Sequence, residues 1–203
     1  MDSHKIVEYF TTYQGEGKHA GTAATFFRFA NCNLDCQFGN GMSCDAAGAW
    51  KGPYEKMTNT EILDKAIEGG VPMVVFTGGE PSMEDRNDLF ELLKRNNFYV
   101  AVETNGFRPS NIVYADWITY SPKRAFDNEA PIMQGGFNEL KILGGVDNLP
   151  DPIKYASVKV KYLQPIGYEH EMNYDNFNAC LQFIIENPTW KLSLQTQKWT
   201  KVD

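Results

Sequence analysis

Three cysteines, Cys32, Cys36 and Cys44, fall within thirteen residues, while the fourth, Cys180, stands far away. In a reducing compartment, closely spaced thiols indicate a metal site more than a set of disulfides. Four cysteines ordinarily complete an iron–sulfur cubane, so three leave one iron open for a substrate or cofactor to ligate. A zinc site completed by Cys180 or a histidine is the competing chemistry. Cys180 follows Phe177 by three residues and precedes Ile184 by four, on the apolar stripe of an expected helix. There a free cysteine packs as a small hydrophobe.

A second group of chemistry-bearing residues is Thr77-Gly78-Gly79-Glu80-Pro81. Paired glycines let backbone amides approach a ligand closely, and the carboxylate beside them can accept from an ammonium or hydroxyl group. Read alone, the same run also suits an ordinary strand-to-helix turn with an acid near a helix N-terminus. Further polar runs stand at Glu103-Thr104-Asn105-Gly106, Ser121-Pro122-Lys123 and Leu163-Gln164-Pro165.

The elements that must position these groups alternate along the chain. Strands are expected at 5–10, 24–29, 74–76, 98–102, 115–120, 139–143, 157–163 and 190–194, from their aromatic and β-branched content. Thr58 followed by Glu61 is a capping-box pattern, and Ile62, Leu63, Ala66 and Ile67 share a helical face behind it. Leu89, Phe90, Leu92 and Leu93 mark a second helix, and Phe177, Leu181, Ile184 and Ile185 a third, stopped at Asn187-Pro188. Such alternation predicts an α/β fold with mainly parallel strands, read as one domain over residues 1–203. Each polar run follows an expected strand. In parallel α/β folds that edge of the sheet collects the ligand site.

Composition narrows the classes. A net charge of −7 argues against a nucleic-acid partner bound through phosphate attraction. No stretch reaches the roughly 18 apolar residues of a membrane span. The opening MDSHKIVEYF lacks the basic and apolar regions of a secretory signal. A cytoplasmic enzyme acting on a small molecule is the expectation.

Taken together, the cysteines and the GGE run resemble the radical S-adenosylmethionine (SAM) superfamily. Its members hold a 4Fe–4S cluster on C-x3-C-x2-C and bind SAM at the open iron. Within it, the chain is similar to the 7-carboxy-7-deazaguanine synthase family over nearly its whole length. Tyr13-Gln14-Gly15-Glu16-Gly17 resembles that family's QGEG signature. Residues 27–34 resemble its RF-x-GCNL run, Glu139-Leu140-Lys141 a central motif, and residues 193–198 its SLQTHK end. The resemblance implies a shortened, incomplete (β/α) radical SAM barrel. It also implies conversion of 6-carboxy-5,6,7,8-tetrahydropterin to 7-carboxy-7-deazaguanine with loss of ammonia, begun by hydrogen abstraction at C6.

By position, the resemblance makes Cys32, Cys36 and Cys44 the cluster ligands. Gly79, Glu80, Glu103, Asn105, Ser121, Lys123 and Gln164 would line the SAM site. Tyr13, Gln14, Gly15, Glu16, Arg28, Thr77, Gln197 and the terminal Asp203 would face the substrate. The donors and acceptors of a pterin edge suit Gln14 and Glu16, and its carboxylate suits the forked guanidinium of Arg28. A flavodoxin-type reductant and a homodimer are family expectations.

Three features depart from the family pattern. Seven residues separate Cys36 from Cys44 instead of two, and the glycines in that loop would let it bulge and return Cys44. Gln197 stands where relatives carry histidine, and it cannot hold a proton charge near neutral pH. Ala46 stands where relatives offer a threonine oxygen to magnesium, so magnesium is raised without a ligand being named. A glycyl-radical activase is the alternative enzyme, and a noncatalytic zinc-binding domain the alternative outside catalysis.

Overall fold

The computed structural model describes residues 3–36, 44, 51–123, 136–168 and 171–200. Among them, one sheet of nine strands runs in the order β3-β1-β2-β4-β5-β6-β7-β8-β9. The strands are β1 Ser3–Tyr13, β2 Ala23–Phe29, β3 Glu55–Thr58, β4 Met73–Gly78, β5 Tyr99–Thr104, β6 Trp117–Tyr120, β7 Glu139–Gly144, β8 Lys161–Pro165 and β9 Lys191–Leu192. From β2 through β9 every pairing is parallel, while β1 runs antiparallel to both β2 and β3. The sheet does not close on itself, so the architecture is the incomplete α/β barrel that the sequence implies.

Helix α1, Asn59–Gly69, starts as its sequence dictates. Thr58 Oγ1 accepts from the Glu61 amide at 3.3 Å, and the Glu61 carboxylate accepts from the Thr58 amide at 2.7 Å. Gly70 ends it in the left-handed region at φ 68°, where a side chain would be strained. Helix α2 is Asn87–Arg95 and α3 is Tyr174–Glu186. No helix of the described residues is long and apolar enough to cross a membrane.

Period-two alternation gives the sheet two different faces. Phe27, Phe29, Val74, Phe76, Val100, Val102, Leu140, Ile142 and Leu163 point to the helix-covered face and form the main core with Ile62, Leu89, Phe90 and Leu93. Cys180 is fully buried in that core and is therefore a packing residue. Ala24, Phe26, Met73, Val75 and Ala101 form a smaller cluster on the inner face, with Phe10 and Trp117 packed against it. These residues lie toward the starts of the parallel strands. Residues nearer the strand ends on that same face are polar, which sets the place of the site.

Three sequence expectations shift. The strand expected at 157–163 begins only at Lys161, because its partner β7 begins at Glu139 and offers no ladder to earlier residues. Lys161 Nζ donates instead to the carbonyls of Tyr155 and Val158, both at 3.1 Å. The last strand shrinks from 190–194 to the two-residue edge β9. Strand β3, unforeseen, is recruited by pairing with β1 over Ser3–Ile6, since β1 is longer than its hairpin with β2 requires.

Candidate active site

The polar runs do converge. At the tips of β2, β4, β5 and β6 lie the Cys32 loop, the Gly78-Gly79-Glu80 run, Glu103 to Gly106 and Ser121 to Lys123. The glycines serve a close approach within the chain. A Cβ at Gly79 would overlap the Asn31 carbonyl, and a Cβ at Gly78 would overlap the backbone of Phe29. The Gly79 amide donates to Phe29 O at 2.9 Å and the Glu80 amide to Asn31 O at 2.8 Å. Asn31 sits at φ 68°, a region asparagine tolerates, and from there the chain presents Cys32.

Glu80 is only 1% exposed, and its carboxylate is engaged within the protein. It accepts from Ser82 N at 2.9 Å, Thr104 Oγ1 at 2.6 Å and Asn105 N at 2.6 Å. Its observed work is to brace the tips of β4 and β5, and so to fix Asn105. Asn105 Nδ2 in turn donates to Asn33 Oδ1 at 2.9 Å and stands 3.9 Å from Cys32 Sγ.

The Cys44 amide donates to the Cys36 carbonyl at 3.1 Å, which holds the backbone of the third cysteine beside that of the second. All three thiols are partly exposed, unlike Cys180. Partial burial, and then the neighbouring sulfurs, raise the pKa of Cys36, while the Lys123 ammonium opposes the rise. Burial likewise raises Cys32, against a bond from the Leu34 amide. The donor types suit an iron–sulfur cluster, three soft thiols with a cation beside them, although among the described residues no three His, Cys, Asp or Glu side chains are already gathered closely enough to hold a metal ion. Lys123 Nζ also donates to Ser121 Oγ at 2.8 Å.

The substrate-facing residues gather around Lys141, to which the sequence reading gives no role. Lys141 is 4% exposed, and its ammonium lies 2.6 Å from Glu16 Oε2 and 2.7 Å from Glu103 Oε2. Glu16 Oε1 accepts from Gln195 Nε2 at 2.9 Å and Gln197 Nε2 at 3.0 Å. Gln14 Nε2 donates to Glu103 Oε1 at 3.2 Å. Burial works against ionisation of Glu16, but Lys141 and the two amides outweigh it and hold its pKa at about 2. Burial works against charge on Lys141 too, and the carboxylates of Glu103 and Glu16 overcome it and raise its pKa.

A C-terminal strap makes this possible. Ser193 Oγ donates to Gln164 Oε1 at 2.7 Å and accepts from the Gly17 amide at 3.0 Å. The Thr196 amide reaches the Gly15 carbonyl at 3.3 Å, leading into the short helix α4, Gln197–Thr200. Gly15 leaves room for Gln197, since a Cβ there would overlap Gln197 Oε1 and push that side chain aside. Gln164 is thus tied to the strap beside the barrel tip. A cleft next to it is lined by Pro165, Met172, Phe177, Leu194, Gln195 and Lys198.

Arg28 and Thr77 are register partners on the inner face of β2 and β4. In this arrangement Arg28 Nε pairs with Glu8 Oε1 at 2.6 Å. Tyr13, expected to face the substrate, makes a contact within the chain. Alternation along β1 turns it away from Glu8 and Phe10, and its hydroxyl bonds Thr200 Oγ1 at 2.6 Å, clamping α4. Asp203, Asp45, Ala46 and the loop from Phe38 to Ser43 lie outside the described residues. The residues that sequence reasoning missed are Lys141, Glu139, Ser193, Gln195 and Glu8. Charges at every second position of an otherwise apolar run, Glu139-Leu140-Lys141-Ile142, were a legible sign of a polar inner face.

Comparison with known proteins agrees with this geometry. Residues 27–124 match the family described as the radical SAM superfamily. The chain is 33% identical over 202 residues to 7-carboxy-7-deazaguanine synthase of Synechocystis, covering 98% of this chain and 94% of that protein. It is 33% identical over 201 residues to the enzyme of the same name from Bacteroides thetaiotaomicron, with 96% of each chain covered. The crystal structure of QueE from Escherichia coli superposes with a TM-score of 0.69 at 26% identity, covering 95% of this chain and 93% of that one.

Proposed function

Because the chain belongs to the 7-carboxy-7-deazaguanine synthase family of radical SAM enzymes, we propose that it converts 6-carboxy-5,6,7,8-tetrahydropterin to 7-carboxy-7-deazaguanine, with loss of ammonia. The observation that carries the reading is one continuous edge that holds both machineries. The thiols of Cys32, Cys36 and Cys44 stand at one side and the Glu16–Lys141–Glu103 triad at the other. The 4Fe–4S cluster and SAM belong to the enzyme class and supply, when bound, the radical that takes hydrogen from C6.

The protein's own share is binding, orientation and exclusion of water. Gln14 and Glu16 read the amino-pyrimidinone edge of the pterin, and Arg28 with Thr77 receives its carboxylate. Substrate N–H donors reaching Glu16 Oε1 take the places of the Gln195 and Gln197 amides, which occupy that oxygen now. Asn105, Ser121, Lys123 and Gln164 line the SAM side, with Gly79 and Glu80 shaping the loop that carries Cys32. The main-chain polar groups and the charge of Glu103 suit the SAM ammonium. Gln197 keeps a neutral amide where a titrating ring stands in relatives, so any proton moved near Glu16 travels without it.

The reading extends to one radical SAM domain over the whole chain, a cytoplasmic setting, a flavodoxin-type reductant and a homodimer. Reconstitution with iron and sulfide under anaerobic conditions, followed by dithionite, SAM and the carboxypterin, tests the reaction. Mass-spectrometric detection of 7-carboxy-7-deazaguanine supports it. SAM cleavage without product removes the substrate assignment and keeps the enzyme class.

A further inference from the structure

Beneath the triad lies a third acid that the catalytic reading does not use. Glu139, at the start of β7, is 1% exposed and faces inward with Lys141. Its Oε2 accepts from the backbone amide of Lys18 at 3.0 Å and from Trp117 Nε1 at 3.3 Å. Its Oε1 is buried and has no hydrogen-bond partner among the described residues. That oxygen rests against Gly17, which holds φ 62°; a Cβ there would overlap it. The left-handed glycine thus lets the loop backbone lie directly on the carboxyl beneath it.

We propose that Glu139, in its neutral form, is a positioning residue that props the loop from Gln14 to Lys18 so that Glu16 meets Lys141 and the substrate. The inference rests on Glu16 being the substrate-reading group. The physical argument is one of unequal costs. A carboxylic acid with one oxygen accepting two N–H bonds leaves an uncharged hydroxyl against Gly17. A carboxylate would leave an unpaired charge there, in a buried site and close to another acid. Burial, followed by the charge of Glu103, pushes the Glu139 pKa up to about 7, against the pull of the Lys18 amide and Lys141.

The charged and titratable groups around it come from every neighbouring element. Glu103 faces it from β5, Lys141 from its own strand and Tyr162 from β8. Lys18 and His19 lie on the propped loop, where burial and Lys18 lower the His19 pKa and favour the neutral ring. None of these groups supplies a donor to Oε1. Rising pH therefore puts a charge under Gly17 and loosens the loop from below, while the triad above still holds Glu16.

The test compares the reconstituted parent with Glu139→Gln and Glu139→Ala. Hydrogen exchange of the peptide spanning 14–19 reads the loop directly, whatever the substrate. We expect Glu139→Ala to speed that exchange about tenfold and Glu139→Gln to leave it near the parent. In turnover, Glu139→Ala should raise KM for the carboxypterin about tenfold with SAM affinity held within about twofold. The parent KM should rise between about pH 6 and about pH 8.5, and Glu139→Gln should flatten that rise. Unchanged exchange in Glu139→Ala overturns the proposal, as does the same pH dependence in Glu139→Gln. If the parent makes no product from the carboxypterin, the reaction reading falls, and the exchange data alone decide for or against the prop.

Discussion

Lys141 stands 2.6 Å from Glu16, and that short ion pair is shut away from solvent. One cation there serves two carboxylates, because Glu103 lies 2.7 Å on its other side. Removing the cation leaves two buried negative charges facing each other. Lys141→Met should therefore lose about 3–5 kcal/mol of stability, read as a lower urea midpoint. Glu16→Gln combined with Lys141→Met should recover part of the loss.

Glu16 also gives the fold an acid-sensitive step. Its pKa falls from 4.5 in the unfolded chain to about 2 in the folded one. The unfolded state then binds the proton first as pH drops, so the stabilisation is complete above pH 4.5 and disappears on the way down to about pH 2. Denaturant midpoints measured across that window should slope steeply in the parent. In Glu16→Gln the slope should be shallower.

Gly15 and Gln197 make a matched pair. Gly15→Ala pushes a methyl group into Gln197 Oε1 and should cost about 1–3 kcal/mol, with faster proteolysis of the strap that follows Ser193. Gly15→Ala with Gln197→Ala removes the collision. If the double variant is no better than the single, the contact is not the cause.

The cysteines divide by place. Cys32→Ala, Cys36→Ala and Cys44→Ala should each abolish iron retention, measured by metal analysis and visible absorbance. Cys180→Ala should retain iron fully and cost about 1 kcal/mol of stability through lost core packing. Iron loss in Cys180→Ala at unchanged stability would contradict that division.

Much of the architecture was legible because the sheet obeys simple periodicity. The capping box at Thr58, the packing role of Cys180 and the convergence of the polar runs all follow from local patterns. The edges were not. A two-residue strand such as β9, or one recruited late such as β3, is decided by what lies beside it and not by its own residues. In the site, the family resemblance pointed to Glu16 and Glu103, yet nothing local reveals that Lys141 joins them, since those contacts span 125 and 38 positions of chain. The bond from Tyr13 to Thr200 spans 187 positions and was equally hidden in the sequence.

The strap has a consequence for assembly. Gln195 reaches Glu16 across 179 residues, and Ser193 reaches Gly17 across 176. Contacts of such long range form late, because the loop they close must be nearly the whole chain. During synthesis the loop bearing Glu16 leaves the ribosome well before the strap and waits for the residues between them. The thiols need no such wait, as all three lie in the first quarter of the sequence. The folding order thus separates the two halves of the site: the cluster loop is ready early, and the pocket that recognises substrate is completed last.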